Sequence, residues 1–118
     1  MDPTTPKLSI EYHDDIVIAQ LTDERILEEA DIQSLESALM PVIDSQPNLK
    51  LLLDFSNVKY LSSSVLGLLI RASKKIYENN GQLKLCSISP KIMEVFKITR
   101  LNKIFEIYDN QDQALAEF

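Results

Sequence analysis

Residues 51–69 read LLLDFSNVKYLSSSVLGLL, a nearly continuous apolar run, a polar turn, and three serines where a second apolar run begins at helical spacing. The first part, Leu49 to Phe55, has the pattern of a central strand covered on both faces. From Val65 a helix follows, with Val65, Leu66, Leu68, Leu69, Ala72, Ile76 and Tyr77 inward and Arg71, Lys74, Lys75 and Glu78 outward. Asn79-Asn80-Gly81 supplies its stop signal. A serine at a helix start caps backbone N–H groups or, when phosphorylated, sits in their positive field. Ser62 to Ser64 therefore form either a cap or a phosphate switch.

On the N-terminal side, Lys7 to Tyr12 and Ile16 to Leu21 are β-rich runs separated by His13-Asp14-Asp15, the pattern of an antiparallel hairpin. Residues 1–6 hold two prolines and two threonines without periodicity and read as a flexible tail. Asp23 to Asp31 is an acidic connection. A first helix follows with Ile32, Leu35, Leu39, Val42 and Ile43 inward and Asp31 as its cap. Pro41 removes one backbone hydrogen bond, so this helix is expected to kink or shorten and to end between Met40 and Ser45.

On the C-terminal side, Leu83 to Ile88 is another strand, and Ser89-Pro90 places a cap residue before a proline at the first helical position. The third helix runs to about Thr99, Lys103 to Tyr108 alternates as a last strand, and Asp109 to Phe118 reads as a short terminal helix. The expected order is ββαβαβαβα: an α/β domain over residues 7–118 with a mixed, mostly parallel sheet of about five strands.

The sequence has 118 residues, enough for one domain and its core. No 18-residue apolar stretch or secretory leader is visible, so a cytoplasmic protein without membrane insertion is expected. The net charge of −6 is uneven: residues 1–47 hold two basic and eleven acidic side chains, residues 48–118 ten and seven. An acidic chain opposes general nucleic-acid binding and suits a basic protein partner. The single cysteine, Cys86, excludes disulfides and cysteine-rich metal sites. Two glycines, Gly67 and Gly81, cannot build a phosphate-cradling loop, and one histidine, His13, sits in a polar turn. No enzyme activity, cofactor or metal is expected.

The run from Leu51 to Leu69 resembles the signature of STAS domains, the bacterial anti-sigma factor antagonists. There a strand ending in Asp and a small polar residue leads, through an aromatic-aliphatic pair, to Asp-Ser-Ser-Gly-Leu-Gly at a helix start. Asp54, Phe55, Ser56, Val58, Tyr60, Leu61, Ser63, Ser64, Leu66 and Gly67 fit that pattern. Asn80-Gly81, Ser89-Pro90, Ile98 to Leu101, Ile104-Phe105 and Ala114-Leu115 extend the similarity over roughly residues 7 to 118. Ser62 stands where the family usually has Asp, and Val65 where it usually has Gly.

The resemblance implies an antagonist that binds an anti-sigma factor with serine kinase activity, is released by phosphorylation, and is reset by a PP2C-type phosphatase. It implies Ser64 as the acceptor, with Ser63 as second choice. The expected partner surface is Asp23, Glu24, Ser62, Ser63, Ser64, Val65, Leu66 and Arg71 on a monomer or weak dimer, since the acidic connection leaves its strand at the same sheet end as the serine loop and Arg71 lies on the exposed side of the second helix. The alternative is a STAS scaffold or accessory subunit of a stress-signalling or transport assembly, its serines serving only as caps.

Overall fold

Apolar runs in the inner strands and a more polar edge strand produce the sheet expected from the sequence. In the computed structural model, which describes residues 7–118, strands β1 (Leu8–His13) and β2 (Ile16–Leu21) form an antiparallel hairpin. The tail expected over residues 1–6 lies outside the described residues. β2 pairs in parallel with β4 (Lys50–Asp54), β4 with β6 (Gln82–Cys86), and β6 with β7 (Glu106–Tyr108), giving the order β1-β2-β4-β6-β7. A separate pair, β3 (Arg25–Ile26) and β5 (Tyr60–Leu61), lies within connections that the sequence reading left as turns.

Helices α1 (Glu29–Asp44), α2 (Ser63–Glu78) and α3 (Pro90–Ile98) and the short α4 (Gln111–Leu115) cover the sheet. Successive strand residues face opposite sides, so β4 serves two cores. Leu51 and Leu53 join residues of α1, α2 and α3, including Leu35, Leu39, Leu68 and Phe96, in the main cluster. Leu52 joins Ile16, Ile18, Cys86 and Ala114 of α4 in the smaller one. Burial of Cys86 pushes its thiol up to about 11, so at neutral pH it is an uncharged packing group. Beside it, Lys84 is 3% exposed; its ammonium donates to Glu106 at 2.7 Å and lies 5.1 Å from the ring centre of Phe118.

Several local expectations are corrected. α1 starts at Glu29, with Glu28 as the N-cap, and Asp31 accepts the Glu28 N–H at 3.2 Å instead of capping the helix itself. The helix continues through Pro41 to Asp44, within the expected range. Pro41 and Ser37 are both exposed, so the carbonyl that loses its N–H partner can turn to water. Tyr77, expected inward on α2, is 47% exposed, and Ser73 is buried in its stead. The last strand begins only at Glu106, because a 3-10 turn occupies Leu101–Lys103. α3 agrees in detail: the Ser89 hydroxyl accepts the Ile92 N–H at 3.3 Å, and Pro90 takes the first turn. Among the described residues, no helix is long and apolar enough to cross a membrane.

Candidate functional site

The three serines stand at the start of α2: Ser62 is the N-cap residue, followed by Ser63 and Ser64. Their position depends on the segment from Asp54 to Leu61, which is tied down at both ends. At its start, Asp54 is buried, its carboxylate accepting the Ser56 N–H at 2.8 Å and the Gln111 amide of α4 at 2.5 Å. Phe55 donates its N–H to the Cys86 carbonyl at 3.0 Å, and the Phe55 and Val58 side chains are buried. At its end, the Glu24 carbonyl accepts from the N–H groups of Lys59 and Tyr60 at 2.8 and 3.0 Å, and Ser62 donates its own N–H to the Ile26 carbonyl at 3.0 Å. Ile26 is buried, so the β3–β5 pair is seated on the core.

The serines divide into two kinds. Ser62 has the extended backbone of an N-cap, with φ −88° and ψ 162°, but its side chain makes no capping bond. Its hydroxyl oxygen is buried and is without a hydrogen-bond partner among the described residues. Capping by the serine hydroxyls, one of the two sequence expectations, is therefore not how this helix begins. Ser63 and Ser64 are exposed. The first turn of α2 carries no acidic residue, so no carboxylate within that turn offsets the partial positive charge of the helix N-terminus.

Of the other residues expected at a partner surface, Val65 and Leu66 are 0% and 4% exposed. That corrects the expectation for these two: their side chains hold α2 on the core and do not face outward. Asp23, Glu24 and Arg71 are at the surface, each already engaged. Asp23 pairs with Lys7 at 2.7 Å, Glu24 with Lys59 at 3.6 Å, and Arg71 with Glu36 of α1 at 3.6 Å. The Glu24 and Arg71 pairs are exposed and worth about 0–1 kcal/mol, so a partner exchanges them at small cost, whereas the Asp23–Lys7 pair is half-buried. Pairing of β3 with β5 brings the acidic connection beside the serine loop.

Helical spacing separates the two exposed serines. Ser64 lies on the ridge of Arg71 and Lys75, whose charged groups reach Glu36 and Asp44 of α1 at 3.6 and 2.8 Å. Ser63 lies on the ridge of Gly67, Ile70 and Lys74, of which Ile70 is 43% exposed. Sequence reading missed Arg25 and Lys91, which flank the exposed ring of Tyr60 next to this loop. They are isolated cations far apart in the chain, and only the two-residue pairing of β3 and β5 brings Arg25 to Tyr60.

Comparisons with known proteins bear on the family and the fold. A family model described as "STAS domain" matches residues 7–114. The protein named "Putative anti-sigma factor antagonist BtrV" of Bordetella bronchiseptica is 29% identical over 112 residues, spanning 95% of this chain and 94% of the relative. The "Anti-sigma F factor antagonist" of Paenibacillus polymyxa is 25% identical over 111 residues, spanning 94% and 93%. In fold, the chain is similar to the anti-sigma-factor antagonist (STAS) domain protein of Planctomyces limnophilus, with a TM-score of 0.86, 24% identity and coverage of 93% and 96%.

Ser62→Ala tests the cap geometry. Removing a working N-cap serine costs about 0.5–2 kcal/mol, whereas removing a buried hydroxyl without a partner is neutral or stabilising. Urea unfolding of Ser62→Ala is expected to show no loss of stability; a loss of about 1 kcal/mol or more would mean that the hydroxyl does cap α2.

Proposed function

The chain belongs to the STAS domain family, and from that membership we propose that it is an anti-sigma factor antagonist switched by phosphorylation at the start of α2. Unmodified, it binds an anti-sigma factor with serine kinase activity and so releases the sigma factor. Phosphorylated, it loses that partner until a PP2C-type phosphatase removes the phosphate. The role is carried by the chain's interaction surface, without catalysis of its own.

One observation supports this reading above the others: two exposed hydroxyls, Ser63 and Ser64, at the beginning of a 16-residue helix whose first turn has no acid. A phosphoserine adds about −1.5 to −2 charges, and at a helix N-terminus the fold gains about 0.3–1 kcal/mol from it. In the centre of an interface the same charge loses its solvation without a partner, which costs several kcal/mol, and each 1.4 kcal/mol is tenfold in affinity. Loss at the interface exceeds gain in the fold, so phosphate acts on binding and leaves the domain folded. Sequence resemblance favours Ser64 as the acceptor. Helical spacing favours Ser63, which shares its ridge with no side chain tied to α1.

The space around Gly67 also supports a partner on this ridge. A β-carbon added there would meet only the Arg71 guanidinium, at an ordinary 3.7 Å, so packing within the chain does not require glycine. Glycine inside a helix costs about 0.5–1 kcal/mol relative to alanine. Close approach of a partner backbone accounts for keeping it.

Incubation with ATP and the anti-sigma factor kinase, followed by phosphopeptide mapping, is expected to label Ser63 or Ser64; absence of label on both would remove the switch. Ser63→Asp is expected to keep the circular-dichroism spectrum and to lose about 100-fold or more in affinity for the anti-sigma factor, from about 3 kcal/mol of interface loss. Unchanged affinity of both Ser63→Asp and Ser64→Asp would favour the scaffold role instead. Gly67→Ala is expected to raise folding stability by about 0.5–1 kcal/mol in urea unfolding while weakening the same complex. A variant that binds as tightly as the parent would place the partner elsewhere.

A further inference from the structure

Beside the serine loop lies a small recess that this reading does not use. Leu27, Leu61, Ile92 and Val95 form its apolar floor, and its cavity is about 110 Å³. Sites for whole small molecules run to about 300–1,000 Å³, so this one has room for a single aliphatic side chain. The Tyr60 ring stands at its rim, 41% exposed. The Arg25 guanidinium lies 5.1 Å and the Lys91 ammonium 4.6 Å from the centre of that ring.

These two cations differ from most others nearby. Lys59, also on the rim, is paired with Glu24, and Lys7, Arg71 and Lys75 have carboxylate partners of their own. Among the described residues, neither Arg25 nor Lys91 has an ion pair. Both come from regular elements, Arg25 from β3 and Lys91 from the first turn of α3, and Tyr60 holds them at one place. Two cations without ion pairs, set against one exposed ring at the edge of an apolar recess, present positive charge to an acidic segment together with a seat for an aliphatic group.

Resting on the antagonist reading above, we infer that Arg25 and Lys91, each set against the Tyr60 ring, attract acidic side chains of a partner segment while a neighbouring aliphatic side chain of the same segment fills the recess. The partner segment is thus acidic and aliphatic, although the protein as a whole is acidic. Charge complementarity divides the surface around the switch: the Asp23–Glu24 side suits basic groups, and the Tyr60 side suits acidic ones. A partner that carries both signs in the matching order binds in one register, and rim charges of this kind act chiefly on association rate and salt dependence.

The test is a titration of the full-length, ¹⁵N-labelled protein with the peptide acetyl-Leu-Glu-Leu-Glu-amide, followed by amide shifts. Saturable shifts centred on Tyr60, Leu61 and Lys91 are expected, weakened by added salt and about tenfold weaker in affinity for an Arg25→Gln/Lys91→Gln variant with an otherwise unchanged spectrum. Absence of shifts, equal shifts with the glutamine version of the peptide, or an unchanged affinity in the variant would overturn the inference. Equal affinity for inorganic phosphate would likewise overturn it by revealing a simple anion site. A protein that takes the glutamate peptide yet binds no anti-sigma factor would keep this subsite and overturn the proposed function. The converse outcome would overturn the subsite alone.

Discussion

Three backbone hydrogen bonds outside the main sheet, two from Lys59 and Tyr60 to Glu24 and one from Ser62 to Ile26, fix where α2 begins. Two-residue strands have no stability of their own, and each backbone bond contributes about 0.5–1.5 kcal/mol net. They persist because the core lies beneath them: Ile26, Phe55 and Val58 are buried on the inner side. The polar loop is therefore a ledge on the core. A hydroxyl presented from such a ledge has a defined position, which a partner enzyme needs for transfer of phosphate and a partner interface needs for complementarity.

The same clamp sets the electrostatics. It lays the acidic connection alongside the start of a helix with no acid in its first turn, and it carries Arg25 to the ring of Tyr60. Surface charges near the serines are mostly paired, at distances from 2.7 to 3.6 Å, and the exposed pairs of Glu24 and Arg71 exchange readily for contacts with another protein. Under the proposed switch, two added negative charges act on what docks at this surface more than on the fold. Val65 and Leu66, wholly inside, keep α2 seated whatever happens at the adjacent hydroxyls.

Most of the fold was legible in the sequence because the hydrophobic period was strong where elements were long. The hairpin, the central strand, α2 and the Ser89-Pro90 start of α3 all carry clear signals, and the structure has each of them. β3 and β5 were not legible, since two residues cannot display a period of two. The start of α1 was misplaced because Asp31 is a good cap type, yet serves from the third helical position as the acceptor for Glu28. At the site, periodicity already turned Val65 and Leu66 inward; placing them on the partner surface followed the motif against the helical phase. The idle hydroxyl of Ser62 depends on which way one side chain turns, and composition and spacing carry no record of that.

Native-state amide hydrogen exchange at Lys59, Tyr60 and Ser62, measured on the unmodified protein and on its phosphoserine form, addresses the ledge directly. Slow exchange at all three amides in both forms is expected, because the charge acts at the surface and the clamp stays closed. Fast exchange in the unmodified protein, or protection lost on phosphorylation, would show that the loop is not held and that switching proceeds by rearrangement of the site.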